Sequence, residues 1–224
     1  MIAISLLLAA QTAGGSGMAY SGEPELNSFA PYRIVTHGVT IDLDAASGGG
    51  PAGTATVNSL TTYRNQGGAG KATLILPRSQ FGPDIPTFDI TATWDGQPIV
   101  LHNGQASRSD SPQITKEDLV ASVPLKAQGT HALRVHLVVP VRKAGYGSVE
   151  YETGYGLNSD RPIELFSIAY RYPGHVVFGL PQVRPAMGWE VGNAGAATRK
   201  TGFTPAQPLT VIKFYPDSFG TIGG

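Results

Sequence analysis

The sequence predicts an all-β fold: an antiparallel β-sandwich, immunoglobulin-like or jelly-roll-like, with about nine to eleven strands and at most one short helix. Three observations carry this. Glycine (29) and proline (17) punctuate the whole length of 224 residues, and charged side chains make up only 14%. Apolar residues alternate with period two in several runs, whereas no apolar period of 3.6 persists over a helix-sized window. A chain of this length can bury a substantial core.

The N-terminus, "MIAISLLLAAQTAGGSGMAYSG", has an apolar run from Ile2 to Ala10 followed by small residues. That is the pattern of a signal-peptide h-region, too short to span a bilayer, although no Lys or Arg precedes it. Cleavage after Gly15 or Ala19 satisfies the small-x-small rule. Ala19 is preferred, so 1–19 reads as signal peptide, 20–31 as a flexible lead-in and 32–224 as a single β-sandwich domain, secreted or periplasmic at the cell envelope. No transmembrane span is expected.

In "YRIVTHGVTIDLD", Val39, Ile41 and Leu43 alternate with Thr40, Asp42 and Asp44. The loop "AASGGGPAG" (45–53) separates this strand from "TATVNSLTTYR". That run and "KATLILP" read as a hairpin around "NQGGAG", with Leu74, Ile75 and Leu76 covered on both faces. The clearest hairpin is "FDITATWDGQPIVLH" (88–102). Asp95-Gly96 suits a type I′ turn, which places Trp94 opposite Gln97 and Thr93 opposite Pro98. Phe88, Ile90, Ala92, Trp94, Ile99 and Leu101 then share the core face, and Pro98 predicts an edge or gap beyond it. After the polar loop "NGQASRSDSPQ", "TKEDL" reads as one helical turn capped by Thr115 with Asp118 in the capping box. In "THALRVHLVVPV", Leu133, Val135, Leu137 and Val139 point inward, with Arg134 and His136 outward. "PIELFSIAYRY" and "HVVFGL" read as a pair around Pro173-Gly174, the segment 181–207 as irregular, and "PLTVIKFYP" as the closing strand.

Sixteen basic side chains against sixteen acidic ones, without a basic block, exclude a nucleic-acid binder. The absence of cysteine removes disulfides, thiol nucleophiles and thiolate metal sites. Of the histidines (37, 102, 131, 136 and 175), none has metal or triad spacing. His131 and His136 are an odd number apart on one strand, so they face opposite sides, and both read as surface histidines. Asp42 with Asp44 could hold calcium but reads as the wet side of a strand. There is no G-x-S-x-G elbow; "YGSVE" around Ser148 lacks its flanking residues. Glu150 with Glu152 could supply a carboxylate pair for glycoside hydrolysis on one strand face but reads as a solvated strand edge. No catalytic residue, metal or cofactor is assigned.

The order "TTYRNQGGAGKATLILP", "FDITATWDGQPI", "PLKAQGTHALRVHLVVP" resembles exported bacterial immunoglobulin-like β-sandwich domains of uncharacterised function, over residues 54–141. In these an aromatic-x-Asn-x-Gly loop precedes an apolar strand ending in Pro, an Asp-Gly turn and a later "l.v.l..p" strand. The resemblance implies the sandwich and no particular activity.

Recognition is expected where tyrosine and glycine are concentrated, since Tyr gives a flat apolar body with a polar tip and Gly lets a loop adapt. The candidates are Tyr146, Tyr151 and Tyr155 in "AGYGSVEYETGYG", and Tyr172 and Trp189 further on. The reading is a non-enzymatic exported module, binding or structural, with a polysaccharide or cell-envelope protein as partner through these aromatic loops. The alternative is an extracellular hydrolase with an unrecognised carboxylate site.

Overall fold

The computed structural model describes residues 17–22, 24–28, 31–44, 53–76, 89–104, 118–141, 147–152, 162–171, 182–184, 188–192, 195–204 and 210–214. Among them the chain forms sixteen strands and no helix. In chain order these are β1 (Gly17–Gly22), β2 (Glu25–Asn27), β3 (Tyr32–Asp44), β4 (Gly53–Asn65), β5 (Gly70–Leu76), β6 (Asp89–Trp94), β7 (Gln97–Pro98) and β8 (His102–Asn103). The second half adds β9 (Leu119–Leu125), β10 (Thr130–Val141), β11 (Gly147–Glu152), β12 (Ile163–Arg171), β13 (Gln182–Arg184), β14 (Glu190–Gly192), β15 (Gly195–Phe203) and β16 (Thr210–Phe214). The count exceeds the nine to eleven expected because β2, β7, β8, β13 and β14 have only two or three residues, too few for an alternation to show.

The strands form an eight-stranded sheet, β14-β15-β12-β3-β4-β10-β6-β7, and two four-stranded sheets, β2-β5-β9-β8 and β1-β11-β16-β13. Register sorts the large sheet into two faces. Val39 pairs with Ser59 and Ile168, Ser59 with Val135, and Val135 with Ala92, so one row runs from β12 to β6 on the inner face. Ala72, Leu74, Val123 and Leu125 of one small sheet and Tyr151 of the other join that face in a single core. The small sheets therefore form a second layer side by side, and the architecture is a sandwich. Most pairs are antiparallel; β1 with β11 and β3 with β12 run parallel.

The 88–102 hairpin forms in the register expected. Asp95 and Gly96 both have positive φ (51° and 80°), Thr93 pairs with Pro98, and β7 ends the large sheet, as the proline requires. Leu74, Ile75 and Leu76 are all buried, as are Val39, Ile41, Leu133 and Leu137. Thr115 and the rest of the helical turn at 115–117, the loop at 45–52, Phe88, and the second strand expected at 175–180 lie outside the described residues.

Three expectations are corrected. β4 and β5 are not a hairpin: β4 pairs along its length with β3 on one side and β10 on the other, leaving no edge for β5, which crosses to the other layer. Asn65 makes the crossing. Its amide donates to the carbonyls of Gly68 and Lys126, its oxygen accepts from the Gly67 N–H, and its own N–H donates to Gly129. Second, the segment 20–31 contributes to β1 and to β2, where Leu26 is buried; a three-residue strand with one apolar side chain leaves no periodic signal. Third, His131 is 1% exposed rather than on the surface. Its Nε2 accepts the Lys126 N–H, so Nδ1 carries the proton it donates to Asp95 at 2.9 Å.

That bond belongs to an aromatic end cap. Trp94 stacks between Tyr63 and His131 and donates its indole N–H to the Pro124 carbonyl across the layers. Burial by itself would raise the Asp95 pKa, but the Ala132 N–H, the His131 ring and the Lys126 ammonium outweigh it and hold the carboxyl below its usual value.

Between the large sheet and β11 the core contains a polar chain. His37 is 0% exposed, with Nδ1 2.8 Å from the Thr61 hydroxyl and Nε2 2.9 Å from the Tyr151 hydroxyl, and it stacks with Tyr151 and Phe166. Desolvation lowers its pKa from 6.5 to about 4. The unfolded chain therefore takes up a proton near pH 6.5 that the folded chain refuses until about pH 4, so stability falls as pH drops through that window. The full effect is about 3 kcal/mol. Urea denaturation at pH 7 and pH 5 is expected to show a loss that shrinks in His37→Gln; an equal loss in both proteins would mean that His37 is not its source.

Candidate functional site

The open face of the large sheet carries a groove of about 780 Å³ running across the strands. Its origin lies in residue sizes. The core-facing row Val39, Ser59, Val135, Ala92, Ile168 and Thr198 forms its floor from behind, and the residues before and after each of these point outward along two parallel rows. On β3, β12 and β15 the outward positions are short, Gly38 and Thr40, Ser167 and Ala169, and Ala197, with Arg199 as the one long side chain. On β4, β10 and β6 they are taller or polar: Asn58 and Leu60, Arg134 and His136, Thr91 and Thr93. The hollow lies over the short ones. A Cβ on Gly38 would come within 3.3 Å of the Ser167 hydroxyl, so a larger residue there would crowd that side chain.

Both ends are defined. Toward β6 stand Arg134, His136 and Thr91, all exposed; toward β14 stand Arg199 and Glu190, also exposed. His136 Nδ1 lies 2.8 Å from Asn58 Oδ1, an acceptor only, so Nδ1 carries the proton and the Asn58 amide keeps its donors for other groups. The backbone amides and carbonyls of the floor are used in the sheet ladder. What the groove offers a ligand is therefore side-chain chemistry: two guanidinium groups, one imidazole, one carboxylate, one amide and several hydroxyls. Among the described residues no group of three or more His, Asp or Glu side chains could hold a metal ion, and no helix is long and apolar enough to cross a membrane.

The structure does not gather the aromatic residues expected from the sequence into this site. Tyr151 is 1% exposed, its hydroxyl on His37. Trp189 lies between two lining residues, Gly188 and Glu190, but its ring packs against the core. Tyr146, Tyr155 and Tyr172 lie outside the described residues, as do the side chains of Asp44, Glu150 and Glu152. Asp42 faces Arg171 at 3.7 Å. Arg134 and His136 are outward as expected, but their partners across the groove were not identified. The available signal was the short outward residues in "THGVT", "FSIA" and "AATRK"; joining them requires the order β15-β12-β3, which no local pattern reveals.

No family model matches the chain, and no curated protein sequence is similar to it. Among solved structures, it is similar to a Legionella pneumophila protein described as nutrient-binding, with a TM-score of 0.62 at 11% identity, over 89% of this chain and 72% of that one. An M1 zinc metallopeptidase of Deinococcus radiodurans gives 0.42 at 14% identity over 84% of this chain and 43% of that one. An aminopeptidase N family protein of Idiomarina loihiensis gives 0.42 at 12%, over 80% and 29%. The chain spans less than half of either peptidase. The Legionella likeness establishes a shared β-rich fold; it does not single out the immunoglobulin-like type.

The Glu190 end of the groove depends on one glycine. Gly195, with φ of 156°, starts β15, which pairs with β14, and a Cβ there would fall on the Tyr170 carbonyl oxygen. Gly195→Ala is expected to destabilise the fold by roughly 2 kcal/mol or more, measured by urea denaturation, because backbone cannot move aside as a flexible side chain can. A loss under roughly 0.5 kcal/mol, the range of ordinary surface changes, would contradict that role.

Proposed function

We propose that the protein is an exported, non-catalytic binding module of the cell envelope whose ligand is a carbohydrate lying in the transverse groove. The observation that carries this reading is the groove itself: about 780 Å³, built on the middle of a paired sheet and lined by convergent polar side chains. Its size is typical of ligand sites, and side chains on strands are held more rigidly than those on loops. The fold likeness to a protein described as nutrient-binding agrees with a binding role. Hydroxyls of Thr40, Thr91 and Ser167 with the Asn58 amide supply the small donors and acceptors that hydroxyl-rich ligands need.

Calorimetric titration of purified protein against cell-wall and plant polysaccharide fragments tests the reading. A saturable signal is expected, and Ala169→Phe, whose ring fills the hollow, is expected to abolish it while leaving the denaturation midpoint near its original value. Binding that persists unchanged in a folded Ala169→Phe protein would place the ligand elsewhere.

Export rests on the apolar run Ile2 to Ala10. β1 bears on the cleavage point: it begins at Gly17, so a cut after Ala19 would remove half of the strand, and a cut after Gly15 would leave it whole. The mature chain is therefore expected to begin at Ser16, which intact-mass measurement of the exported protein checks. A start at Tyr20 would show that β1 forms without its first three residues or not at all.

A further inference from the structure

From the charges in the groove, we infer that its ligand is an acidic oligosaccharide, a chain of uronate-type sugars whose carboxylates are read by Arg134 and Arg199. This inference rests on the groove being the binding site, and narrows the ligand that it takes.

The two arginines stand in the same outward row. Arg134 pairs with Leu60, Leu60 with Gly38, Gly38 with Ser167 and Ser167 with Arg199, so four interstrand steps separate them. That is about 19 Å between backbones, and long side chains shorten or extend the span between the charged heads. Neither has an ion-pair partner among the described residues, whereas Arg33 is held by Glu164 at 2.7 Å and Arg171 lies 3.7 Å from Asp42. Among the described residues that line the groove the one carboxylate is Glu190, at one end. In a chain of zero net charge, two guanidinium groups without an ion-pair partner among the described residues, facing one hollow, are a local excess of positive charge. Guanidinium recognises a carboxylate by paired parallel hydrogen bonds, so it supplies direction as well as attraction.

The rest of the lining selects among anionic ligands. Among the described residues no aromatic side chain lines the groove, so these residues offer neither the stacking platform that single-stranded nucleic acids need nor a surface for uncharged sugar faces. Its floor lies within a paired ladder, not along an edge, so an acidic peptide cannot join as an added strand. Between the arginines the groove presents Ser167, Thr40 and Asn58, with His136 beside Arg134 on β10 and Thr91 on β6 beyond it. These small donors and acceptors suit a ligand with hydroxyls along its whole length and charges at intervals.

Hexamers of galacturonate and mannuronate, the methyl ester of the former, cellohexaose and hexaglutamate are titrated calorimetrically into the full chain. Expected is saturable binding of at least one uronate hexamer, at least tenfold tighter than its uncharged counterparts and weakened by added salt. Arg134→Gln and Arg199→Gln are each expected to raise Kd about tenfold, as for loss of a charge-assisted hydrogen bond. The double variant is expected to show nearly the product, since the sites are far apart. Arg134→Lys, which keeps the charge and loses the fork, is expected to recover only part. Both arginines are exposed, and an unchanged denaturation midpoint shows that the variants fold.

Equal binding of the ester or cellohexaose, abolished by Ala169→Phe, would overturn the acidic ligand and leave the groove as the site. Uronate binding unaffected by Ala169→Phe and by both arginine variants would overturn the site and the inference. Tighter binding of hexaglutamate would replace the sugar with an acidic peptide, and no binding of any hexamer would overturn the inference.

Discussion

The register of β4 between β3 and β10 is the constraint on which the rest depends. Because side chains alternate, slipping β4 by one residue would exchange Val57, Ser59 and Thr61 for Asn58, Leu60 and Thr62, emptying the core and filling the groove at once. Core and site are two sides of one alignment. The locks are mostly polar: Asn65 joins the end of β4 to the loop before β10, and Asp95 takes the His131 ring with one oxygen and the Ala132 N–H with the other. Hydrogen bonds such as these each contribute only about 1 kcal/mol net, but they are directional. The apolar core supplies attraction without choosing between registers.

The interior polar chain Thr61, His37, Tyr151 follows the same logic at the junction between the large sheet and β11. A buried imidazole is tolerated only neutral and with both nitrogens engaged, which fixes how far β11 lies from β3. Phe166 continues the stack to Phe203, with centroids 4.4 Å apart, so polar and aromatic contacts run together through this half of the core.

Features that depend on neighbouring residues were legible in the sequence. The Asp95-Gly96 turn, its register, the edge at Pro98 and the alternation in β3 and β10 follow from dihedral preference and pleat geometry. Features that depend on distant strands were not. Nothing local in "NQGGAG" distinguishes a hairpin from a crossing between layers; the decision is made by β10, which occupies the edge that β5 would need. His131 looked like a surface residue because its partners, Asp95 and Lys126, come from two other turns. The groove was hidden for the same reason: each short outward residue is ordinary, and only the order β15-β12-β3-β4 turns them into a hollow.

The parallel pairs have a consequence for how the molecule is made. Gly17 meets Gly147 and Thr36 meets Leu165, each contact closing more than half of the chain. Such distant pairings are slow to form, and until β12 has been synthesised one flank of β3, from Thr36 to Asp42, lacks the partner it pairs with in the fold. A polypeptide interrupted anywhere before Ile163 would carry that exposed edge into solution, where another copy could pair with it. The risk of such pairing is therefore greatest before the last third of the chain emerges and falls once β12 covers the edge.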